Sequence, residues 1–239
     1  MIVKQHYNNH LGAIYSWMAG DFNEGVKSFE QFIIAANLTV SKNKQAVDLG
    51  AGNGIQAVAL AKQGYSVTAV DFCEELLHEL AINTSTYNVK AVNADILSYS
   101  ENINNVDLVV CWGDTLTHLT TINDVITLLY NCIKGLSQNG KLILSFRDYT
   151  NAAIGDKLSI DVKKTDDMEL RCELEYQQNK VKVTDIISRK GDTNREITHS
   201  SYYKLRLPPG YIADILKKAG LKVQQSMLDN KMLCIIAYK

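Results

Sequence analysis

Residues 47–54 read VDLGAGNG: the end of an apolar strand, an acid, then glycine at every second position (Gly50, Gly52, Gly54) ahead of the run IQAVALAKQ. Glycines so spaced let a chain turn sharply from strand to helix and let a ligand lie directly on the backbone. The helix start beyond them offers free N–H groups to a carboxylate or phosphate. Asp71 closes the segment SVTAVDF about 20 residues on, where an acidic side chain reaches the two hydroxyls of a ribose. Asp95 closes a third such segment, VKAVNAD, at the same edge. A bare turn has no use for three acids beside it, so the set describes a nucleotide-like site.

Further polar residues fall at the ends of later segments. WGDTLTHL carries Asp114, placed to cap the next helix, and His118, which is either a base or a helix-packing histidine. Arg147, Asp148 and Tyr149 form a cluster in which Arg147 either grips a substrate carboxylate or pairs with a neighbouring acid. The opening stretch is dense in rings, with Tyr7, His10, Tyr15 and Trp17; further on come Tyr202, Tyr203 and Arg206. No catalytic triad and no cluster of carboxylates at metal spacing is evident, so no metal is expected.

Elements must bring these residues to one edge, and periodicity supplies them. Strand and helix patterns alternate from Gln45 to Asp148, which implies a parallel sheet with helices on both faces. Asp21 and Glu24 head a helix bearing Phe22, Val26, Phe29 and Ile33, while Gly64 and Gly140 read as helix-to-strand turn residues. From Met168 the period changes to two, and three β segments joined by the short turns QQNK and KGDTNR form an antiparallel meander ending at Pro208. Alternation there puts Tyr203 with Leu205 and Leu207 on one face and Tyr202 with Lys204 and Arg206 on the other. A last helix and two strands joined by DNK follow, and so short a turn forces those strands to pair antiparallel. The expected fold is α/β: a doubly wound, mostly parallel seven-stranded sheet with a terminal antiparallel hairpin and an inserted β meander. The whole of residues 1–239 reads as one domain, with a cap segment and helix at 1–38, a core at 45–148 and 208–239, and the meander at 168–207. Residues 1–20 read as irregular.

Asp48-Leu49-Gly50-Ala51-Gly52-Asn53-Gly54 resembles the first motif, D/E-x-G-x-G-x-G, of class I Rossmann-like S-adenosylmethionine-dependent methyltransferases of the small-molecule type. The resemblance covers residues 40–148 well and 208–239 in outline. It implies that the loop, Ala51 included, packs on the methionine part of the cofactor, with Asp48 near its amino group and Tyr15 reaching its carboxylate. Asp71 would hold the ribose, Phe72 would lie against adenine, and Asp95 would accept from the adenine amino group with Ile96 beside it. Cys111 and Trp112 would line the site near the methyl group. Trp17, His118, Arg147, Tyr149, Tyr202 and Tyr203 are the candidates for the acceptor side, under a roof made by the meander. The implied activity is methyl transfer to an N or O atom of a small molecule. A cofactor-binding regulatory relative without transferase activity is the alternative. A nicotinamide oxidoreductase is disfavoured, because Ile55 stands at the third glycine position of G-x-G-x-x-G.

Composition bounds the rest. A formal charge of −1 and no basic stripe give no sign of a nucleic-acid partner. No run approaches the roughly 18 apolar residues that span a bilayer. The opening lacks a signal-peptide pattern. Five dispersed cysteines without C-x-x-C suit a reducing, cytoplasmic setting. Monomer and homodimer both stay open.

Overall fold

The computed structural model describes residues 3–38, 43–191 and 194–239. Its centre is a seven-stranded sheet of β1 (Gln45–Leu49), β2 (Ser66–Asp71), β3 (Val89–Asn93), β4 (Val106–Cys111), β5 (Leu136–Phe146), β10 (Lys222–Met227) and β11 (Leu233–Tyr238). The spatial order is β3-β2-β1-β4-β5-β11-β10, parallel except that β11 runs against both β5 and β10. Strand succession moves outward from β1 to β3, then returns to β4 on the other side of β1. Ligands of open α/β sheets bind at the carboxyl ends beside such a reversal.

Both sheet faces are covered, and successive strand residues go to opposite cores. Val109 packs with Val125, Leu129, Ile212 and Leu216 of α7 (Ile122–Gly135) and α8 (Pro209–Lys218). Val110 packs with Val26, Phe29, Ile33 and Leu60 of α3 (Phe22–Ala35) and α4 (Ile55–Lys62). The Asp21 carboxylate caps α3 by accepting from the Glu24 amide at 2.8 Å. Gly64 adopts φ +91°, as a helix-to-strand turn requires. Within the first part of β5 the left-handed residue is Asn139 (φ +68°), not Gly140. The β4–β5 ladder shifts register between Val106 and Leu108, so Gly140 lies inside an irregular β5.

The inserted sheet has four strands, β6 (Lys157–Lys164), β7 (Met168–Tyr176), β8 (Lys180–Lys190) and β9 (Arg195–Leu205), in that antiparallel order. It thus begins one strand before Met168. β6 is an edge strand whose apolar residues Leu158, Ile160 and Val162 stand 41–48% exposed, so burial does not advertise it.

Residues 3–19 are helical rather than irregular: α1 (Val3–His6), a π-helical turn (Tyr7–Leu11) and α2 (Gly12–Ala19). The wide turn breaks the 3.6-residue period that would have revealed a helix. Leu11 and Ile14 pack on Leu170 of β7 and Ile187 of β8, while Tyr7 and Tyr15 face the sheet edge. His6 fastens the segment down: its buried ring bonds Asp185 Oδ2 at 3.0 Å and Ser200 Oγ at 2.9 Å.

Candidate active site

The glycine loop takes the shape its sequence asks for. Gly50, Gly52 and Gly54 have φ of +76°, +54° and +98°, a region that other residues rarely adopt. A Cβ on Gly50 would stand 2.4 Å from Thr115 Cγ2. Asp71 organises the loop from the next strand, with Oδ2 accepting from the Gly52 amide and Oδ1 from the Cys73 amide, both at 2.9 Å. Beyond β3, Asp95 caps the short helix α6 (Ile96–Ser100) by accepting from Leu97 and Ser98 amides.

Above this edge lies a cleft of about 600 Å3 including its open mouth. Of the residues singled out from sequence, Tyr15, Gly50, Gly52, Asp71, Phe72, Asp95, Ile96 and His118 line it together. Tyr7, Leu76, Gly113, Thr115 and Leu119 line it as well. A second chamber adjoins, sharing Phe72, Asp95, His118 and Leu119 with the first and adding Lys4, Thr120, Lys180, Tyr203 and Lys204.

Asp48 lies 1% exposed at the end of β1. Among the described residues neither of its carboxylate oxygens has a hydrogen-bond partner. Burial, with the Asp71 charge adding to it, pushes its pKa up to about 8. A buried carboxylate in that state calls for a cation. The cofactor named by the motif carries an ammonium and a sulfonium, and the loop above offers amides to its carboxylate, so the residues present fit that group. Burial also raises the Asp71 pKa, against the opposing effect of its amide donors, and it raises the Tyr15 hydroxyl to about 12.

On the acceptor side the His118 ring meets Tyr7 and Tyr202 edge-on, with centroids 5.7 and 5.6 Å away. Its Nε2 is enclosed and without a partner. Burial, helped by the Lys204 charge, holds its pKa down at about 3. Asp114 does not cap a helix. It has φ +77° and makes no side-chain capping bond to the 3-10 turn Thr115–His118. Instead its buried carboxylate accepts from Lys204 Nζ (2.7 Å), Tyr149 OH (2.6 Å) and the Arg147 amide (3.0 Å). Burial opposes both charges of this pair. Even so, the Lys204 ammonium holds Asp114 below the usual carboxylate range, and Asp114 with Tyr202 and Tyr149 holds Lys204 well above the usual lysine value.

Several sequence candidates lie elsewhere. Trp112 turns away from the cleft and packs against Phe29 and Phe32, each 4.9 Å between centroids. Cys111 is fully buried in the core, and Ala51 packs beneath the loop. Trp17 sits under the Lys163 ammonium, 5.2 Å from its ring centre, and does not line the cleft. Tyr149 is committed to Asp114. The Arg147 guanidinium stands 3.8 Å from Asp114 and is 46% exposed, so the neighbouring acid of the ion-pair reading is Asp114 and not Asp148. Arg206 is consumed by the carbonyls of Tyr149, Thr150, Ala152 and Gln177. Tyr202 is buried, whereas Tyr203 lines the second chamber.

Residues 46–140 match the family model described as a methyltransferase domain. A glycine/sarcosine N-methyltransferase from Aphanothece halophytica is 24% identical over 78% of this chain and 74% of its own length. Among solved structures, the CcbJ methyltransferase from Streptomyces caelestis superposes with a TM-score of 0.80 at 17% identity, covering 98% of each chain. An amino pentose methyltransferase from Micromonospora echinaspora, solved with S-adenosylmethionine bound, gives 0.75 at 13% identity over 95% of each chain. Among the described residues no helix is long and apolar enough to cross a membrane.

Proposed function

We propose, from the premise that this chain is a class I S-adenosylmethionine-dependent methyltransferase, that it methylates a nitrogen of a small-molecule amine. The observation that carries this reading is His118. It stands on the wall common to both chambers with an enclosed, partnerless Nε2, on a ring whose pKa is held at about 3. General bases work best when their pKa lies near the working pH, so so weak a base serves a hydroxyl acceptor badly. An amine attacks in its neutral form and needs only a free lone pair. A chamber bearing lysines disfavours its protonated form. His118 then orients: Nε2 accepts a hydrogen bond from the amine N–H and leaves the lone pair directed toward the cleft. The names of the Aphanothece and Micromonospora relatives, an N-methyltransferase and an amino pentose methyltransferase, point the same way.

Bound in the cleft, S-adenosylmethionine supplies a methyl group already activated on a cationic sulfur. The chain's part is alignment, which can contribute roughly 7–11 kcal/mol, and exclusion of water. In this reading Asp48 faces the cofactor ammonium, and Tyr15 and the loop amides take its carboxylate. Asp71 holds the ribose through lone pairs that Gly52 and Cys73 leave unused. Phe72 and Ile96 flank adenine, with Asp95 at its amino group. Gly113 and Thr115 replace Cys111 and Trp112 as the neighbours of the methyl group. We further propose that both sheets form one catalytic domain, and that the five free thiols belong to a reducing, cytoplasmic setting.

The test is a turnover screen that follows S-adenosylhomocysteine formation with matched amines and alcohols. Amines should be the acceptors, and the rate should follow ionisation of the acceptor amine. Methylation of alcohols or phenols without methylation of any amine would overturn the assignment.

A further inference from the structure

We infer that the acceptor carries an oxyanion, a carboxylate or a phosphate, held in the second chamber by Lys180 and Lys204. This deepens the amine reading and rests on it for the position of the nitrogen at His118. The chamber is lined by three lysines, Lys4, Lys180 and Lys204, against one acid, Asp95. That acid is occupied, its Oδ1 accepting two amides of α6. Lys4 and Lys180 meet no carboxylate among the described residues.

Lys204 is fixed rather than mobile. Its side chain is 12% exposed, and Nζ donates to Asp114 Oδ2 at 2.7 Å and to Tyr149 OH at 3.3 Å. An ammonium has three donors, so one N–H is left for the chamber that Lys204 lines. An anchored donor of that kind can recognise an anion at small cost in side-chain entropy. His118 stands on the wall that the two chambers share, and Lys4, Lys180 and Lys204 line the chamber beyond it. An amine bearing an acid group matches both ends. A plain hydrophobic amine would leave these lysines facing an apolar surface.

Calorimetry on the protein loaded with S-adenosylhomocysteine tests this with matched pairs: 4-aminobenzoate against aniline for carboxylate, and glucosamine 6-phosphate against glucosamine for phosphate. At least one acid-bearing member should bind roughly tenfold or more tightly than its neutral partner, the scale of a charge-assisted hydrogen bond. That preference should shrink at 0.5 M salt and with Lys180→Met, and persist with Lys180→Arg. Whichever pair shows it identifies the anion. Equal or weaker binding of both acidic members, or none, would overturn the inference. A turnover assay with 4-hydroxybenzoate and glucose 6-phosphate separates the two claims. Methylation of these but not of the amines would sink the amine reading and leave the anion site standing. Methylation of aniline or glucosamine in preference to their acidic partners would do the reverse.

Discussion

If Asp48 must be ionised to hold the cofactor, binding has to release a proton. With a pKa of about 8 in the free protein, the carboxyl is almost wholly protonated at pH 6 and half protonated at pH 8. Affinity for S-adenosylhomocysteine should therefore improve about fiftyfold between those values, since each pKa unit of uphill ionisation costs about 1.4 kcal/mol. The ligand's own α-amino group is that of a free amino acid and stays protonated across this range, and Asp48→Asn is the control that isolates the protein's share. Isothermal titration in two buffers of different ionisation enthalpy gives both readouts. The parent protein should release close to one proton at pH 6 and about half at pH 8, and the variant should lose that contribution. The sign also fixes the behaviour of the free protein. A carboxyl whose pKa is raised by folding favours the protonated form, so stability falls as pH rises from about 4 towards about 8. Asp48→Asn should then melt higher than the parent at pH 8 when ligand-free, at about 2–4 °C per kcal/mol relieved in a chain of this size. Flat affinity from pH 6 to 8 and no buffer-dependent heat, matching the variant, would refute the reasoning.

Removing Lys204 leaves the buried Asp114 carboxylate uncompensated, so Lys204→Met should cost about 3–5 kcal/mol in urea unfolding, and adding Asp114→Asn should recover most of it. A loss below about 1 kcal/mol would mean that the pair behaves like an exposed one. Gly50→Ala sets a Cβ 2.4 Å from Thr115 at a φ of +76°; calorimetry should show cofactor affinity falling more than tenfold, of the order expected from a misplaced backbone donor, with unfolding still cooperative. Asp71→Ala removes the acceptor of the Gly52 and Cys73 amides as well as the proposed ribose contact, so affinity should fall roughly ten- to a hundredfold while hydrogen exchange at Gly52 and Cys73 accelerates. Unchanged exchange there would show that the loop holds its shape without Asp71.

The parallel sheet was legible because its inner strands β1 and β4 are buried on both faces and its glycine loop has few uses other than ligand binding. Asp71, Asp95 and Phe72 could be placed because strand ends are fixed by periodicity. Residues that depend on packing direction were not readable. Trp112 follows the β4 end just as Gly113 does, yet its ring is drawn into the apolar gap between Phe29 and Phe32. Asp114 reads as a cap, and only the fold reveals a lysine arriving from 90 residues away. The edge strand β6 shows the alternation of Leu158, Ile160 and Val162, but no partner or burial signal in the sequence marks it as β. Tyr7 and Lys204 carry no motif, and the dense rings of the opening stretch were the one hint of the former.

The fastening of His6 to Asp185 and Ser200 spans 179 and 194 positions of sequence, which sets an order of assembly during synthesis. The glycine loop, Asp71 and the first parallel strands can pair among themselves early, because the contacts that build them are comparatively local. The wall bearing Tyr7 and Tyr15 can meet Asn53, Phe72 and Glu79 early, but the seat that His6 grips is absent until β8 and β9 have left the ribosome. A nascent chain stopped before Ser200 therefore has the floor of a nucleotide site with its wall fastened on one side only. Capture of the adenosyl ligand becomes a late reporter of completion, available to follow when the two ends of the chain find each other.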